Sequence, residues 1–321
     1  MTDDQDLPTP ADRGSETAKP EPMRVVVEVA DRIDKALARQ FPDAGRRRLS
    51  ALFEDGCVRI AGRLARKGDR VVPGEVIEVA RAPVFGEALR PLPDPEAAAR
   101  IAVILERADL VVIDKPAGMP SQPLRPGELG TAANAIAARW PECAAIPVEG
   151  DPRDGGLVHR LDIGTSGVLV AARTMEAYRA LREAFGAGLV AKTYLAITDA
   201  RPVSRECDAP LVQRGKRVVV DHTDGLAAST SFVVERESTT HALVRCTAQT
   251  GRMHQVRAHL AHVGSPITGD TLYRGVALGD DPGFFLHAAT MTLPVGGETL
   301  ALEAPLPARF LAALAALGLQ G

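Results

Sequence analysis

Nine consecutive residues, HRLDIGTSG at 159–167, bring together an imidazole, a guanidinium, a carboxylate and two hydroxyls. They lie between two apolar runs, GGLV and VLVAAR, of the kind that form buried strands. In an extended segment Val158, Arg160 and Asp162 share one face, and His159 and Leu161 the other. Gly164 and Gly167, with Thr165 and Ser166 between them, make a turn. Asp162 then falls at a strand end, where a carboxylate is both positioned and accessible. Arg160 beside it can balance that charge or hold a polyanion. A plain ion-pair network at a sheet edge gathers the same residue types, and the motif alone leaves it open.

Other groupings carry less. His254, His259 and His262 read H-x4-H-x2-H, and only the last two share a helical face. There is no HExxH, and Asp270 is the nearest carboxylate, so the spacing matches no standard zinc site and no metal is expected. Cys57, Cys143, Cys207 and Cys246 lack CxxC spacing, which argues against a zinc cage or disulfide framework and suits a reducing cytosol. No general base stands at a telling distance from Ser166. Thr165 and Ser166 are therefore expected to hold the turn through side-chain hydrogen bonds.

The elements that must position these groups follow from composition and period. The chain has 321 residues, 45% apolar and 25% charged, an ordinary globular balance. No apolar run approaches the roughly 18 residues that span a bilayer. The opening MTDDQDLPTP lacks the basic start and apolar run of a secretory signal, so a cytoplasmic protein is expected. The net charge of −3 hides an uneven distribution. Residues 1–22 hold six acids, two bases and four prolines, and read as a disordered tail. Residues 23–82 hold thirteen bases against nine acids, the clustering that guides polyanions. Within them, DRIDKALARQF places Ile33, Leu37 and Phe41 on one helical face. GRRRLSALFEDG gives a second helix ended by Gly56, and short alternating strands follow. Prolines at 83, 91, 93 and 95 suggest a linker over 83–98. A second domain, 99–321, reads as strands in runs with helices between them, an α+β pattern with a mixed sheet. It includes a strand over GGLVHRLD, a helix capped by Thr174, and a turn into a helix over GRMHQVRAHLAHVG.

Two resemblances add to this. Residues 24–80, with RIDKALA, RRRLSALFEDGCVRIAGRLARKGDR and the closing PGEVIEV, resemble the S-four-like RNA-binding domain; the family pattern has Asn where this chain has Ala61. HRLDIGTSGVLVAAR resembles the signature of the RluA-type pseudouridine synthases. LVVIDKPAGMPSQP, AKTYLAI, TGRMHQVRAHLAHVGSPITGDTLY, FLHAATMTLP and LEAPLP match further blocks of that family in order, covering about residues 103–310. Departures are Ile163 and Gly164, where a charged residue is more usual, Asp114 in place of Asn, and Ser121-Gln122 in place of Val-His.

The second resemblance implies a mainly antiparallel central sheet flanked by helices, and isomerisation of uridine in RNA to pseudouridine without a cofactor. It implies Asp162 as the catalytic carboxylate, attacking the ribose or removing a ribose proton. Tyr194 would lie against the flipped uracil and Arg257 would pair with Asp162. Arg160 would help hold the distorted RNA, with Lys115 and Arg252 as structural or phosphate contacts. The substrate that this domain arrangement implies is large-subunit ribosomal RNA. Transfer RNA, or a non-catalytic RNA-binding factor on the same fold, are the alternatives. A monomer with no required protein partner is expected.

Overall fold

Ile33 and Leu37 are fully buried and Phe41 nearly so, as their four-residue spacing requires of one helical face. They belong to the first of two compact units, Met1–Phe85 and Gly86–Gly321. The computed structural model describes residues 22–41, 46–80, 89–146 and 151–320, the side chains of 46–48 excepted. The tail expected over 1–22 thus lies outside the described residues, apart from Pro22.

In the first unit β1 (Met23–Val26), β2 (Asp31–Arg32), α1 (Ile33–Gln40), α2 (Arg46–Glu54), β3 (Val58–Ile60), β4 (Arg63–Leu64), β5 (Arg70–Val71) and β6 (Val76–Val79) follow in order. A four-stranded antiparallel sheet runs β1-β6-β3-β4, and β2 pairs with β5. Leu49 and Leu52 of α2 join Val58, Ile60, Ile77 and Val79 in one core. Gly56, at φ +66°, ends α2 as expected.

Residues 89–98 are not the linker expected over 83–98; residues 83–88 lie outside the described residues. The Asp94 carboxylate accepts from the backbone N–H groups of Glu96, Ala97 and Gly130 at 3.0, 3.1 and 2.8 Å, and so starts α3 (Pro95–Ala98). Prolines that read as a spacer are here a capped helix start.

From α3 the second unit continues through β7 (Ala102–Glu106), β8 (Leu110–Lys115), α4 (Ala132–Arg139), α5 (Pro141–Ala145), β9 (Ser166–Ala172), α6 (Met175–Gly186) and β10 (Ala191–Thr198). It goes on through β11 (Glu206–Cys207), β12 (Leu211–Arg214), β13 (Arg217–Val220), β14 (Thr230–Glu237), β15 (Ala242–Ala248) and α7 (Gln255–His262). It closes with β16 (Leu286–Val295), β17 (Glu298–Glu303) and α8 (Ala308–Ala316). The nine-stranded sheet runs β11-β14-β15-β10-β16-β9-β8-β7, with β17 also on β16, and β12–β13 is a separate hairpin. β9 on β16 is the parallel pair in an otherwise antiparallel sheet, which gives the mixed, mainly antiparallel α+β fold expected. Among the described residues no helix is long and apolar enough to cross a membrane.

Alternation along the strands sorts the core. Leu110, Val112, Val168 and Val170 face α6, while Val111, Ile113, Leu169 and Ala171 face α4. Val244, Cys246 and Phe232 face α7, and Ile197, Leu243 and Phe285 face α8. Tyr194 touches both the α4 and the α7 cluster, so those two cores meet on one face of the sheet. GGLVHRLD does not form the expected strand; Leu157 makes a single bridge to Ala171.

The turn between β3 and β4 has both central residues at positive φ, Ala61 at +47° and Gly62 at +78°. That geometry favours Asn-Gly, because an Ala side chain crowds its own carbonyl there. Ala61→Asn is expected to stabilise the first unit by about 0.5–1 kcal/mol. Calorimetry of the full chain checks it, and an unchanged or earlier first transition counts against it.

Candidate active site

The chain from His159 to Thr165 lacks a strand partner; side chains tie down its start, and Ser121 and Lys115, with the Gly118 N–H on the Ile163 carbonyl at 2.8 Å, hold its backbone. The N–H of Val170 donates to His159 Nε2 at 3.1 Å, and Arg182 Nη1 donates to the Val158 carbonyl at 3.1 Å. The His159 ring stacks on Phe185 with centroids 4.9 Å apart. Burial pulls its pKa down to about 3, so the ring is neutral and its Nε2 is free to accept. Ser121 Oγ accepts from the Leu161 N–H at 3.0 Å and donates to the Leu161 carbonyl at 2.7 Å. Lys115 Nζ, with its residue fully buried, donates to the carbonyls of Met119, Pro116 and Ile163 at 2.7, 3.1 and 3.3 Å. Burial draws this ammonium down to about 7, against the pull of Asp162 and Asp114. The ammonium's three N–H groups match these three acceptors. The turn then closes with the Thr165 N–H on the Asp162 carbonyl at 3.1 Å.

Asp162 so placed meets α7. Arg257 Nη1 donates to Asp162 Oδ2 at 2.9 Å, while its Nε and Nη2 hold both oxygens of Asp270 at 2.7 and 2.9 Å. The guanidinium lies between two rings, 4.3 Å from the Phe284 centroid and 5.0 Å from that of Tyr273. Burial lowers the pKa of Arg257, and the bond to Asp270 with the two carboxylate charges more than restores it, to above its ordinary value. The side chain of Asp270 is 1% exposed and that of Arg257 7%, but Asp162 keeps 22%. Of the two acids on this arginine, Asp162 is thus the one that solvent or a ligand can reach. Its second oxygen, Oδ1, stands 3.8 Å from His254 Nε2. His254 Nδ1 is 3.0 Å from Tyr273 Oη, which accepts the Val218 N–H at 2.9 Å.

Gly164 leaves room for this cover. A Cβ there would stand 2.6 Å from the Phe284 ring. Gly167, at φ +112°, opens β9 where a Cβ would meet the Ala288 carbonyl oxygen at 2.2 Å.

Of the residues singled out in the sequence, Asp162 and Arg257 are brought together. Tyr194 comes close enough for the Asp162 charge to add to burial in raising its phenol pKa. A register shift between Thr193 and Tyr194 on β10, where it pairs with β16, aims that ring. Arg160 does not lie beside Asp162 as an alternating strand would place it, because the segment is a loop. It is exposed, with Nη1 3.4 Å from Gln122 Oε1. Lys115 is buried under its three carbonyls, which fits the structural alternative and leaves no N–H for a phosphate. Arg252 is exposed and its Nε donates to the Ala227 carbonyl at 3.0 Å. Ser166 does not hold the turn: its hydroxyl meets His287 Nδ1 at 2.9 Å. Both ring nitrogens of His259 are engaged, with Thr230 Oγ1 and the Ala209 carbonyl, each at 2.9 Å.

Asp270, Tyr273, Phe284 and the approach of His254 to Asp162 were not expected. Asp270 and Tyr273 stand in the GDTLY stretch that closes the longest motif, a signal for the segment but not for its partner.

Comparison with known proteins matches both the sequence and the fold. A family model for RNA pseudouridylate synthase matches residues 109–262. The ribosomal large subunit pseudouridine synthase D of Xanthomonas campestris pv. campestris is 35% identical over 294 residues, 86% of this chain and 86% of its own length. The protein so named in Pseudomonas aeruginosa is 33% identical over 301 residues, 87% of this chain and 90% of its own. The structure of human RNA pseudouridylate synthase domain containing 4 superposes with a TM-score of 0.56 at 25% identity, covering 70% of this chain and 96% of that one. The fold and these relatives define an RNA-modifying isomerase. The chain belongs to the RNA pseudouridylate synthase family.

The Arg257 fork generates a prediction. Arg257→Met strands Asp270 in a dry site and is expected to cost about 3–5 kcal/mol. Asp270→Asn should recover a large part of that loss in the double variant, since it removes the stranded charge. Urea unfolding of the two singles and the double measures the coupling, and additive losses would show that the pair is not one unit.

Proposed function

We propose that this protein converts uridines of large-subunit ribosomal RNA to pseudouridine in the cytoplasm, with Asp162 as its catalytic carboxylate. The observation that carries the reading is the partly exposed Asp162 carboxylate on an arginine whose other acid, Asp270, is buried and held by two bonds. Glycoside cleavage with water uses two carboxylates, one of them an acid for the leaving group. Isomerisation needs no water, because the base that leaves through nitrogen returns through carbon. A single reactive carboxylate suffices to attack or deprotonate the ribose as the bond from C1′ to N1 breaks. The C5 proton is lost and N1 gains one, so the reaction consumes nothing and requires no electron carrier.

Tyr194 lies against the uracil, which leaves its stack at a cost of a few kcal/mol. Arg160 and Arg252, both exposed, contact the RNA backbone. Lys115 holds the loop. The substrate assignment draws on the names of the relatives above, each matched over most of its length. The first unit is the S-four-like RNA-binding domain expected over 23–82, where Arg24, Arg59, Arg63, Arg66, Lys67 and Arg70 are exposed and available to phosphates.

Two outcomes test this. Asp162→Asn is expected to lower turnover on ribosomal RNA by on the order of a thousandfold or more while RNA affinity holds, because the amide keeps the size but loses the charge and nucleophile. Turnover within tenfold of the parent would remove Asp162 from the mechanism. Deleting residues 1–82 should weaken RNA binding and lower its salt slope by about 0.7 for each lost contact to single-stranded RNA. A salt titration that superposes on the full chain's would show that the basic block does not touch RNA.

A further inference from the structure

We propose that His254 is a positioning residue for Asp162, kept as a neutral imidazole with its proton on Nε2 by a hydrogen bond from Tyr273. The inference rests on Asp162 as the catalytic carboxylate. It starts from a backbone group that can only donate. The Val218 N–H, in the β12–β13 hairpin, points at Tyr273 Oη, 2.9 Å away. The phenol accepts that bond and has its own hydrogen left to give. The guanidinium groups of Arg217 and Arg257, over the ring at 5.5 and 5.0 Å, carry donors only. The acceptor left is His254 Nδ1, at 3.0 Å. A ring that accepts at Nδ1 carries its proton on Nε2, since the bond made by one nitrogen decides the state of the other. Nε2 faces Asp162 Oδ1 at 3.8 Å, and the other oxygen is already taken by Arg257.

The backbone at His254 is constrained as well. His254 sits at φ +53°, ψ 18°, in the left-handed region, as the residue that starts α7. That conformation is costly for a residue with a Cβ and is kept only where the surroundings impose it. Here it turns the ring back toward the Asp162 loop. The groups facing the ring are Asp162, Asp270, Arg257 and Tyr273. Burial disfavours the imidazolium first; the two carboxylates favour it, and Arg257 opposes it. An imidazolium would form an ion pair with Asp162 and quench its reactivity. A neutral N–H restrains the carboxylate and leaves its charge, and distances of this length shorten when a substrate closes the site.

The test uses the full chain labelled with ¹⁵N-histidine. Two-bond proton–nitrogen correlations at pH 7 should show His254 protonated on Nε2 and bare at Nδ1, and Tyr273→Phe should abolish that preference. His254→Ala should lower kcat roughly tenfold or more, as loss of a group that orients a reacting one does, with KM and RNA affinity within twofold. His254→Gln, whose amide can present an N–H toward Asp162, should keep more activity than His254→Ala. Protonation on Nδ1 or on both nitrogens in the parent would overturn the inference, as would His254→Ala with unchanged kcat. If His254→Ala does not fold, the tautomer and the glutamine variant decide alone. Asp162→Asn run in parallel separates the two levels. An inactive Asp162→Asn beside a fully active His254→Ala overturns only the role of His254. An active Asp162→Asn overturns the reading beneath it.

Discussion

Every backbone N–H and C=O taken out of water needs a partner, and between His159 and Thr165 no neighbouring strand offers one. Ser121 holds both backbone groups of Leu161, the Ile163 carbonyl takes Lys115 Nζ together with the Gly118 N–H, and the His159 ring ties the start of the segment to the Val170 N–H of β9. This arrangement frees the Asp162 carboxylate from a ladder while denying its backbone any slack. A strand would have fixed the same backbone but turned Asp162 to one face of the sheet. The loop instead carries it to the start of α7, where Arg257 waits. The polar side chains that hold this backbone, Ser121 and Lys115, come from outside the stretch, which leaves its own Asp162 free to meet Arg257.

Arg257 meets the opposite requirement, a charge that must stay in a dry place. Its five N–H groups and flat shape let one residue bridge two acids while aromatic faces cover it above and below. A lysine could neither bridge in this way nor stack between rings. The buried acid, Asp270, fixes the arginine's direction, and the remaining N–H is what reaches Asp162. One ion pair holds the other in aim.

Helical period and capping residues made much of the fold legible in the sequence. Thr174 and the stripe from Met175 to Phe185 predict α6, and Thr174 Oγ1 does accept from the Ala177 N–H. The failure at GGLVHRLD is instructive, because its first half does bond β9 through Gly156 and Val158, while beyond His159 the backbone is held by side chains and turns, which no period reveals. Prolines at 91, 93 and 95 suggested a spacer because composition cannot show that Asp94 will meet the N–H of Gly130. In the site, Asp162 and Arg257 were legible through motifs. Asp270 lies thirteen positions from Arg257, where no spacing rule links a helix to a later turn. Phe284 was hidden for a further reason: its contact depends on an atom that Gly164 does not have.

That missing atom ties two distant positions into one packing unit. A side chain added at 164 pushes into the ring of Phe284 and uncovers Arg257, so the change is harmful in this background. A smaller residue at 284 would make room for that side chain but would leave the arginine bare on that side. A substitution at either position is therefore read correctly only together with the residue at the other.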